Sequence, residues 1–335
     1  MTGEPTLRGM QAPDVRPATT DELEACARIW YDSINDYMVR LNQPDWPFEP
    51  KAITALYRHL LATDPDRFLV AVRSDPSEDA PDGERVIAFV SAFVRGSQWF
   101  LSMLFVRPEE QATGIGRQLL ERVLPVPDSG LALGTATDSA QPISNALYSG
   151  YGMVPRMPLL QLTGMLRRPE SLPDLPDGVS VTTFEDIVAG VAGTPGSAAG
   201  AGHRELAALV NGLDRGTLGF EHPQDHAWLR ASERRGFLYR SVGGDAVGYG
   251  YASEVGRVGP VAVADPALMA PVLGHLLRAV QPRGAFAVGT PGAAGDTVRM
   301  LLDAGLRLEP FPILMCWDSP VTDYTRYLPI SPGLL

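Results

Sequence analysis

Apolar residues run along the first half of the chain with two different periods. Leu23, Ala27, Ile29, Trp30 and Ile34 keep roughly helical spacing behind Thr19, Thr20, Asp21 and Glu22, the residue types that start helices. A short strand is expected just before them at 15–17, and a second helix from about 50 to 62. The stretch 42–50 between the two helices carries three prolines with Trp46 and Phe48, and reads as a loop with exposed aromatic surface. The period then shortens. Residues 67–73 (RFLVAVR) and 86–95 (VIAFVSAFVR) are β-rich runs flanking the acidic Pro/Gly segment 74–84, which reads as a long hairpin loop, and 98–106 (QWFLSMLFV) is a third buried strand. Ile115, Leu119 and Val123 mark an amphipathic helix, 131–137 a strand, 142–150 a helix, and 157–165 a strand that closes the half. The order is β-α-α-β-β-β-α-β-α-β.

Residues 167–178 (RRPESLPDLPDG) hold three prolines and no apolar face, and read as a linker between domains. The same programme then restarts: a strand at 179–184, a helix, an Ala/Gly-rich patch at 190–202, a helix at 203–213, and strands at 236–242, 246–253 and 258–264. Laying Pro108 on Pro266 places Gly116 on Gly274 and Leu119 on Leu277 without a gap. Laying Gly152 on Gly305 places Leu147 on Met300 and Tyr148 on Leu301, and both preceding strands carry Gly-Thr. The expected domains are therefore 12–166 and 179–335, the second a copy of the first with altered chemistry.

The length of 335 residues suits two such domains, and 45% hydrophobic with 20% charged residues is an ordinary globular balance. No apolar run reaches the length of a bilayer-spanning helix, and 1–11 lacks the apolar centre of a signal peptide, so a cytoplasmic protein is expected. A net charge of −11 disfavours nucleic acid as a partner and suits a small or cationic ligand. The 28 basic residues include a single lysine, Lys51. Cys26 and Cys316 lie far apart without metal-ligand spacing and read as two buried thiols. His203, His222, His226 and His275 are irregularly spaced, and no metal site is expected from them.

The chemistry concentrates in 106–120 (VRPEEQATGIGRQLL), where a buried strand, a glycine-containing turn and a helix start follow one another. Such a turn gathers free backbone N–H groups at the positive end of a helix and suits a phosphate or pyrophosphate. Glycine at 114 and 116 removes the side chains that would hold the ligand off, although two glycines can also serve only to permit the turn. A Walker loop would need Gly-Lys-Ser/Thr where Gly116-Arg117-Gln118 stands, and a dinucleotide fingerprint would need glycine where Leu119 stands.

Gln111-Ala112-Thr113-Gly114-Ile115-Gly116, preceded by Val106-Arg107-Pro108, resembles the acyl-CoA signature Gln/Arg-x-x-Gly-x-Gly/Ala of the GCN5-related N-acetyltransferase (GNAT) superfamily. The resemblance covers the whole first half, and the second half in outline. It implies an α/β fold with a mixed sheet flanked by helices, repeated in tandem, a layout similar to that of mycothiol synthases. It further implies acetyl-CoA as acyl donor, backbone near Leu104, Phe105 and Val106 against the pantetheine, and Gln111, Ala112, Thr113, Gly114, Ile115, Gly116 and Arg117 around the pyrophosphate. Asn145 would contact CoA and Tyr148 would protonate the departing thiolate, although the Asn-to-Tyr spacing here is shorter than the family's; the alternative for Tyr148 is a helix aromatic packed on the sheet. The base that deprotonates the acceptor is not named by any motif. Asp138 and Ser102 are candidates, with Asp32 and Asp36 behind them, and each is also a common cap or solvated residue. Trp46 and Phe48 are candidates for the acceptor pocket.

In the second half Met269 stands where Gln111 does, Pro271 where Thr113 does, Val272 where Gly114 does and Leu301 where Tyr148 does. That half is expected to have lost the donor site. The expected activity is transfer of a short acyl group to a primary amine of a small molecule, with no nucleic-acid or membrane partner and a homodimer as one assembly. A protein or peptide acceptor, and a binding-only acyl-CoA regulator, are the rivals.

Overall fold

The computed structural model describes residues 12–74, 83–192 and 200–335. Most of the expected acidic hairpin loop and the middle of the Ala/Gly-rich patch lie outside the described residues. The chain falls into two compact units, the first made of Met1–Phe93 with Leu101–Ser129, the second of Val94–Phe100 with Gly130–Leu335.

The first unit carries strands β1 (Asp14–Pro17), β2 (Phe68–Ser74), β3 (Glu84–Arg95) and most of β4 (Gln98–Val106), in that order across the sheet, with helices α1 (Leu23–Arg40), α2 (Pro50–Thr63) and α3 (Ile115–Val123). A capping box at the 3-10 turn Thr20–Glu22 leads into α1. Both the backbone N–H and the hydroxyl of Thr19 donate to Glu22 Oε2, at 2.8 and 3.0 Å, and Arg16 holds the other oxygen of that carboxylate at 2.8 Å. Cys26, Ala27 and Ile29 lie on the buried face of α1. Proline in the first turn starts α2, and its buried Tyr57 sits edge-on to Phe68 of β2 and Phe89 of β3.

The second unit holds β5 (Ala132–Asp138), β6 (Val154–Gly164), β7 (Ser180–Thr183), β8 (Arg234–Arg240), β9 (Ala246–Ser253), β10 (Arg257–Val263), β11 (Phe286–Pro291), β12 (Arg307–Leu308), β13 (Ile313–Trp317) and β14 (Tyr327–Leu328). Its helices are α4 (Pro142–Ser149), α5 (Phe184–Ala192), α6 (Ala201–Thr217), α7 (Pro223–Ala231), α8 (Met269–Ala279) and α9 (Gly295–Asp303). The sheet order is β5-β13-β6-β11-β10-β9-β8-β7, with β10 and β11 parallel and β9, β8 and β7 antiparallel. The expected element order of the first half is present throughout. In the second half the expected strand 179–184 stops at Thr183, and Phe184 instead opens α5. Its ring stands 5.2 Å from that of Tyr251 and lies against Gly236, where any Cβ would fall 2.2 Å from it. No helix was expected where α7 lies; its first turn mixes Pro223, Gln224, Asp225 and His226.

The arrangement of β6 and β13 was also not legible. β6, the last strand of the first half, does not close a sheet of its own half. It pairs antiparallel with β11 over six residues, Leu159 to Gly164, and β13, the corresponding strand of the second half, enters between β5 and β6. Each half thus completes the other. Leu162 of β6 is fully buried in a core otherwise built from β8–β11, α8 and α9, together with Leu172 of the linker. That linker is docked: Arg167 and Arg168 both donate their backbone N–H to Ala304 O, and Arg278 donates to Leu172 O and, at 3.1 Å, to Pro173 O.

Two outcomes are expected. Leu162→Ala should cost about 2–5 kcal/mol in a chemical denaturation experiment, the usual range for emptying a buried leucine site. Separately expressed pieces cut within 167–178 should be poorly folded alone and should regain cooperative unfolding on mixing, because each lacks the strand that the other supplies.

Candidate functional site

The end of β4 and the turn that follows it are held by a short set of hydrogen bonds. Val106 O accepts from Ser33 Oγ of α1 at 3.0 Å and from Gln111 Nε2 at 3.1 Å. One turn of 3-10 helix follows at Pro108–Glu110, and Thr113 Oγ1 donates to Glu110 O at 2.7 Å. The chain then takes two left-handed residues, Ala112 with φ 62° and Gly114 with φ 88°, and enters α3. Gly114 is the N-cap, and its carbonyl accepts from Gln118 N at 3.1 Å.

Nothing crowds this turn. A Cβ on Gly114 would have no atom within 4 Å, and one on Gly116 would meet only a methyl of Val106 at 3.5 Å. Gln111, Ala112, Thr113, Gly114 and Arg117 are exposed, whereas Ile115 is buried and anchors the helix to the unit. Among the described residues, the backbone N–H groups of Gly114, Ile115, Gly116 and Arg117 find no protein acceptor. The result is an open cluster of donors at a helix N-terminus, with Arg117 adding a positive charge.

On the same unit, Phe105 of β4 joins an aromatic series. Its ring stacks on Phe89 at 5.8 Å and meets Trp30 at 6.4 Å; Trp30 lies 5.8 Å from Trp46, and Tyr31 lies 5.0 Å from Phe48. The loop bearing Trp46 is fastened to α1 by a reciprocal pair, in which Asn35 Nδ2 donates to Trp46 O at 3.1 Å and Trp46 N donates to Asn35 Oδ1 at 2.9 Å. The Arg28 guanidinium sits 3.4 Å over Phe48. Leu104 and Val106 are half-buried, and Ser102, further back on β4, is buried.

In the second unit, Asp138 ends β5 and accepts from Ala140 N at 2.8 Å, while Asn145 Nδ2 donates to the carbonyls of Asp138 and Gln141 at 3.1 and 2.8 Å. Asn145 Oδ1 is buried without a partner. Tyr148 is 6% exposed; burial pushes its phenol above the ordinary range, which a hydrogen bond with Ser144 only partly offsets.

The region of the second half that corresponds to the glycine turn is built differently. Met269 and Val272 are buried, and no left-handed residue precedes α8. A Cβ on Gly274, which the sequence sets opposite Gly116, would fall 2.9 Å from Pro173 O, so the docked linker lies against the middle of that helix. Of the four histidines, His222 and His226 converge with Asp214, which comes from a different helix and could not be paired with them by spacing. His275 instead bonds Tyr239 OH at 2.8 Å through Nδ1.

A family model described as Acetyltransferase (GNAT) family matches residues 30–153. Solved structures match over nearly the whole chain. A candidate acetyltransferase from Pyrococcus horikoshii aligns with TM-score 0.67 and 15% identity over 100% of both chains. A GCN5-related N-acetyltransferase from Sphaerobacter thermophilus aligns with TM-score 0.54 and 17% identity over 94% of this chain and 98% of the other. A tandem GNAT protein of the clavulanic acid biosynthesis pathway aligns with TM-score 0.50 and 15% identity over 92% and 99%. Comparison with curated proteins gives no match. Residues 30–153 thus match the GNAT family model, and the fold of the chain as a whole is similar to that of a tandem GNAT protein. Among the described residues no helix is long and apolar enough to cross a membrane.

Because space is open at Gly114 and only its positive φ constrains it, Gly114→Ala should lower stability by about 1 kcal/mol in a denaturant titration, with no change in near-UV circular dichroism.

Proposed function

We propose that the chain is a cytoplasmic N-acetyltransferase that moves the acetyl group of acetyl-CoA to a primary amine of a small molecule. The observation that carries this reading is the open turn at 111–117, with left-handed Ala112 and Gly114, unpaired N–H groups and Arg117, inside the segment that matches the family model. A pyrophosphate placed there would accept from those N–H groups. Leu104, Phe105 and Val106 supply the strand that the pantetheine follows, and Asn145 is the further CoA contact.

The reaction is direct. The acceptor amine loses a proton and attacks the thioester carbonyl, backbone N–H groups near Phe105 stabilise the oxyanion, and the tetrahedral intermediate expels the CoA thiolate. Tyr148 protonates that thiolate; its buried phenol stays protonated at neutral pH and is therefore in the form an acid needs. Asp138, or Ser102 through a relay, takes the amine proton. Trp46 and Phe48 face the acceptor, and the tie from Trp46 through Trp30 to Phe105 supports placing it beside β4.

We assign catalysis to 12–166 and a degenerate, packing role to 179–335, joined by 167–178. The buried Met269 and Val272, and the linker carbonyl beside Gly274, support the loss of a donor site in the second half.

Calorimetric titration of the full chain with acetyl-CoA should give one site. Gly114→Trp should weaken it at least tenfold, by driving an indole into the donor cluster. Tyr148→Phe should leave acetyl-CoA affinity within about twofold and lower kcat by roughly 10²-fold, read as CoA thiol release with a panel of small amines. A folded chain that does not bind acetyl-CoA would overturn the assignment, and a second site would overturn the degenerate reading of 179–335.

A further inference from the structure

The second unit contains a buried polar cluster that the acyl-transfer reading does not use. Asp214 of α6 is fully buried, and His222 and His226, at the start of α7, are 1% and 2% exposed. One carboxylate oxygen, Asp214 Oδ2, faces both rings, 2.8 Å from His226 Nε2 and 3.3 Å from His222 Nε2. The rings are tilted, with centroids 4.3 Å apart. At that distance His222 Nε2 lacks the geometry of a well-formed hydrogen bond, and the buried phenol of Tyr327, beside Tyr249, is pushed well above its usual range by burial and by nearby Asp214 and Asp225.

Each of the three groups is braced from behind. His226 Nδ1 meets Tyr251 OH at 2.9 Å, and Tyr249 OH donates to Asp214 Oδ1 at 2.5 Å. His222 Nδ1 lies 3.4 Å from Asp225 Oδ2, and that carboxylate is gripped by Arg95 through two N–H groups at 2.8 and 3.0 Å. All the braces are buried. An imidazole whose far nitrogen is oriented by a carboxylate or hydroxyl is the arrangement that fixes a metal-ligating histidine.

Charge points the same way. Asp214 and Asp225 are both buried carboxylates, and Arg95 grips Asp225, whereas among the described residues Asp214 has no arginine or lysine paired with it. An uncompensated charge in so dry a place is costly and calls for a proton or a cation.

We infer that Asp214, His222 and His226 form a divalent-metal site of the zinc class, one oxygen and two imidazole nitrogens drawn from α6 and α7. Bond lengths of about 2.0–2.1 Å in tetrahedral geometry put neighbouring ligand atoms roughly 3.3 Å apart. The His222 separation already has that value, and the His226 contact has to open by about half an ångström to reach it. The ligand set of two imidazoles and a carboxylate excludes magnesium and calcium, which prefer all-oxygen shells, and suits zinc. Bound there, the ion would tie α6 to α7 beneath the aromatic pair Tyr249 and Tyr251.

The competing occupant is a proton on His222. Burial opposes that charge, but the Asp214 and Asp225 carboxylates outweigh it and lift the imidazole to about 9. The two occupants are separated by metal uptake, which is independent of acetyl-CoA binding. The full chain, treated with chelator and shown to be folded, is titrated with zinc chloride by calorimetry and with cobalt(II) chloride by visible absorption. The expected result is one ion per chain, a cobalt spectrum of low coordination number, and a thermal midpoint that rises with zinc. His226→Gln and Asp214→Asn should each weaken zinc at least 100-fold, and Tyr251→Phe, which touches no metal, about tenfold. Since the ligand variants could lose the fold, the wild-type titration decides alone: a folded chain that takes up neither ion overturns the site and leaves a proton-filled network. Uptake that survives unchanged in a folded His226→Gln chain would overturn it equally.

Discussion

β6 of the first half and β13 of the second each lie in the other half's sheet, and much of the second unit follows from that exchange. β13 hydrogen-bonds β5 on one side and β6 on the other, while β6 runs along β11 for six residues. Neither partner strand is an optional edge. Removing β13 would strip two strands of their neighbours at once and expose unpaired backbone that water or another chain would have to satisfy. The docked linker adds to the constraint: Leu172 is buried in the core of the second half, and the carbonyls of Leu172 and Pro173 receive Arg278.

The same constraint bears on how two copies of one fold come to differ. In the first half the turn after β4 is kept bare, with left-handed backbone and a helix start whose N–H groups find no acceptor among the described residues. In the second half the corresponding helix begins with buried Met269 and Val272, and the linker lies against Gly274. A helix end can present donors to an anion or be packed into the interior, and the two demands conflict, because packing consumes the open space an anion needs. Met269 and Val272 are buried in α8, whereas Gln111 and Gly114 stand exposed before α3.

Much of this was legible beforehand. The element order of the first half follows from apolar spacing, and the glycine turn announces itself because Gly114 stands at a position where φ is +88°. The helix start at Thr19 was readable from its capping residues alone. Other features were not, and for a physical reason. Strand exchange leaves no local mark, since β13 is an apolar run, Ile-Leu-Met-Cys-Trp, that reads as a buried strand whichever neighbours it pairs with. α7 was hidden because its first turn is mostly polar while its interior face buries Asp225, His226 and Leu229. The convergence of Asp214 with His222 and His226 depends on how α6 and α7 lie against each other, which spacing within either helix cannot report. Whether Tyr148 packs or reacts was likewise open from sequence, and in the fold its ring is buried while its hydroxyl keeps a bond to Ser144.

The exchanged strands also set an order of events during synthesis. Residues 313–317 leave the ribosome about 150 residues after β6, yet they fill the gap between β5 and β6. Until then those two strands wait with unsatisfied edges, the condition in which a nascent chain depends most on chaperones or on speed. A message truncated before residue 313 would yield a chain in which β5, the strand that ends at Asp138, and β6 lack the neighbour they share.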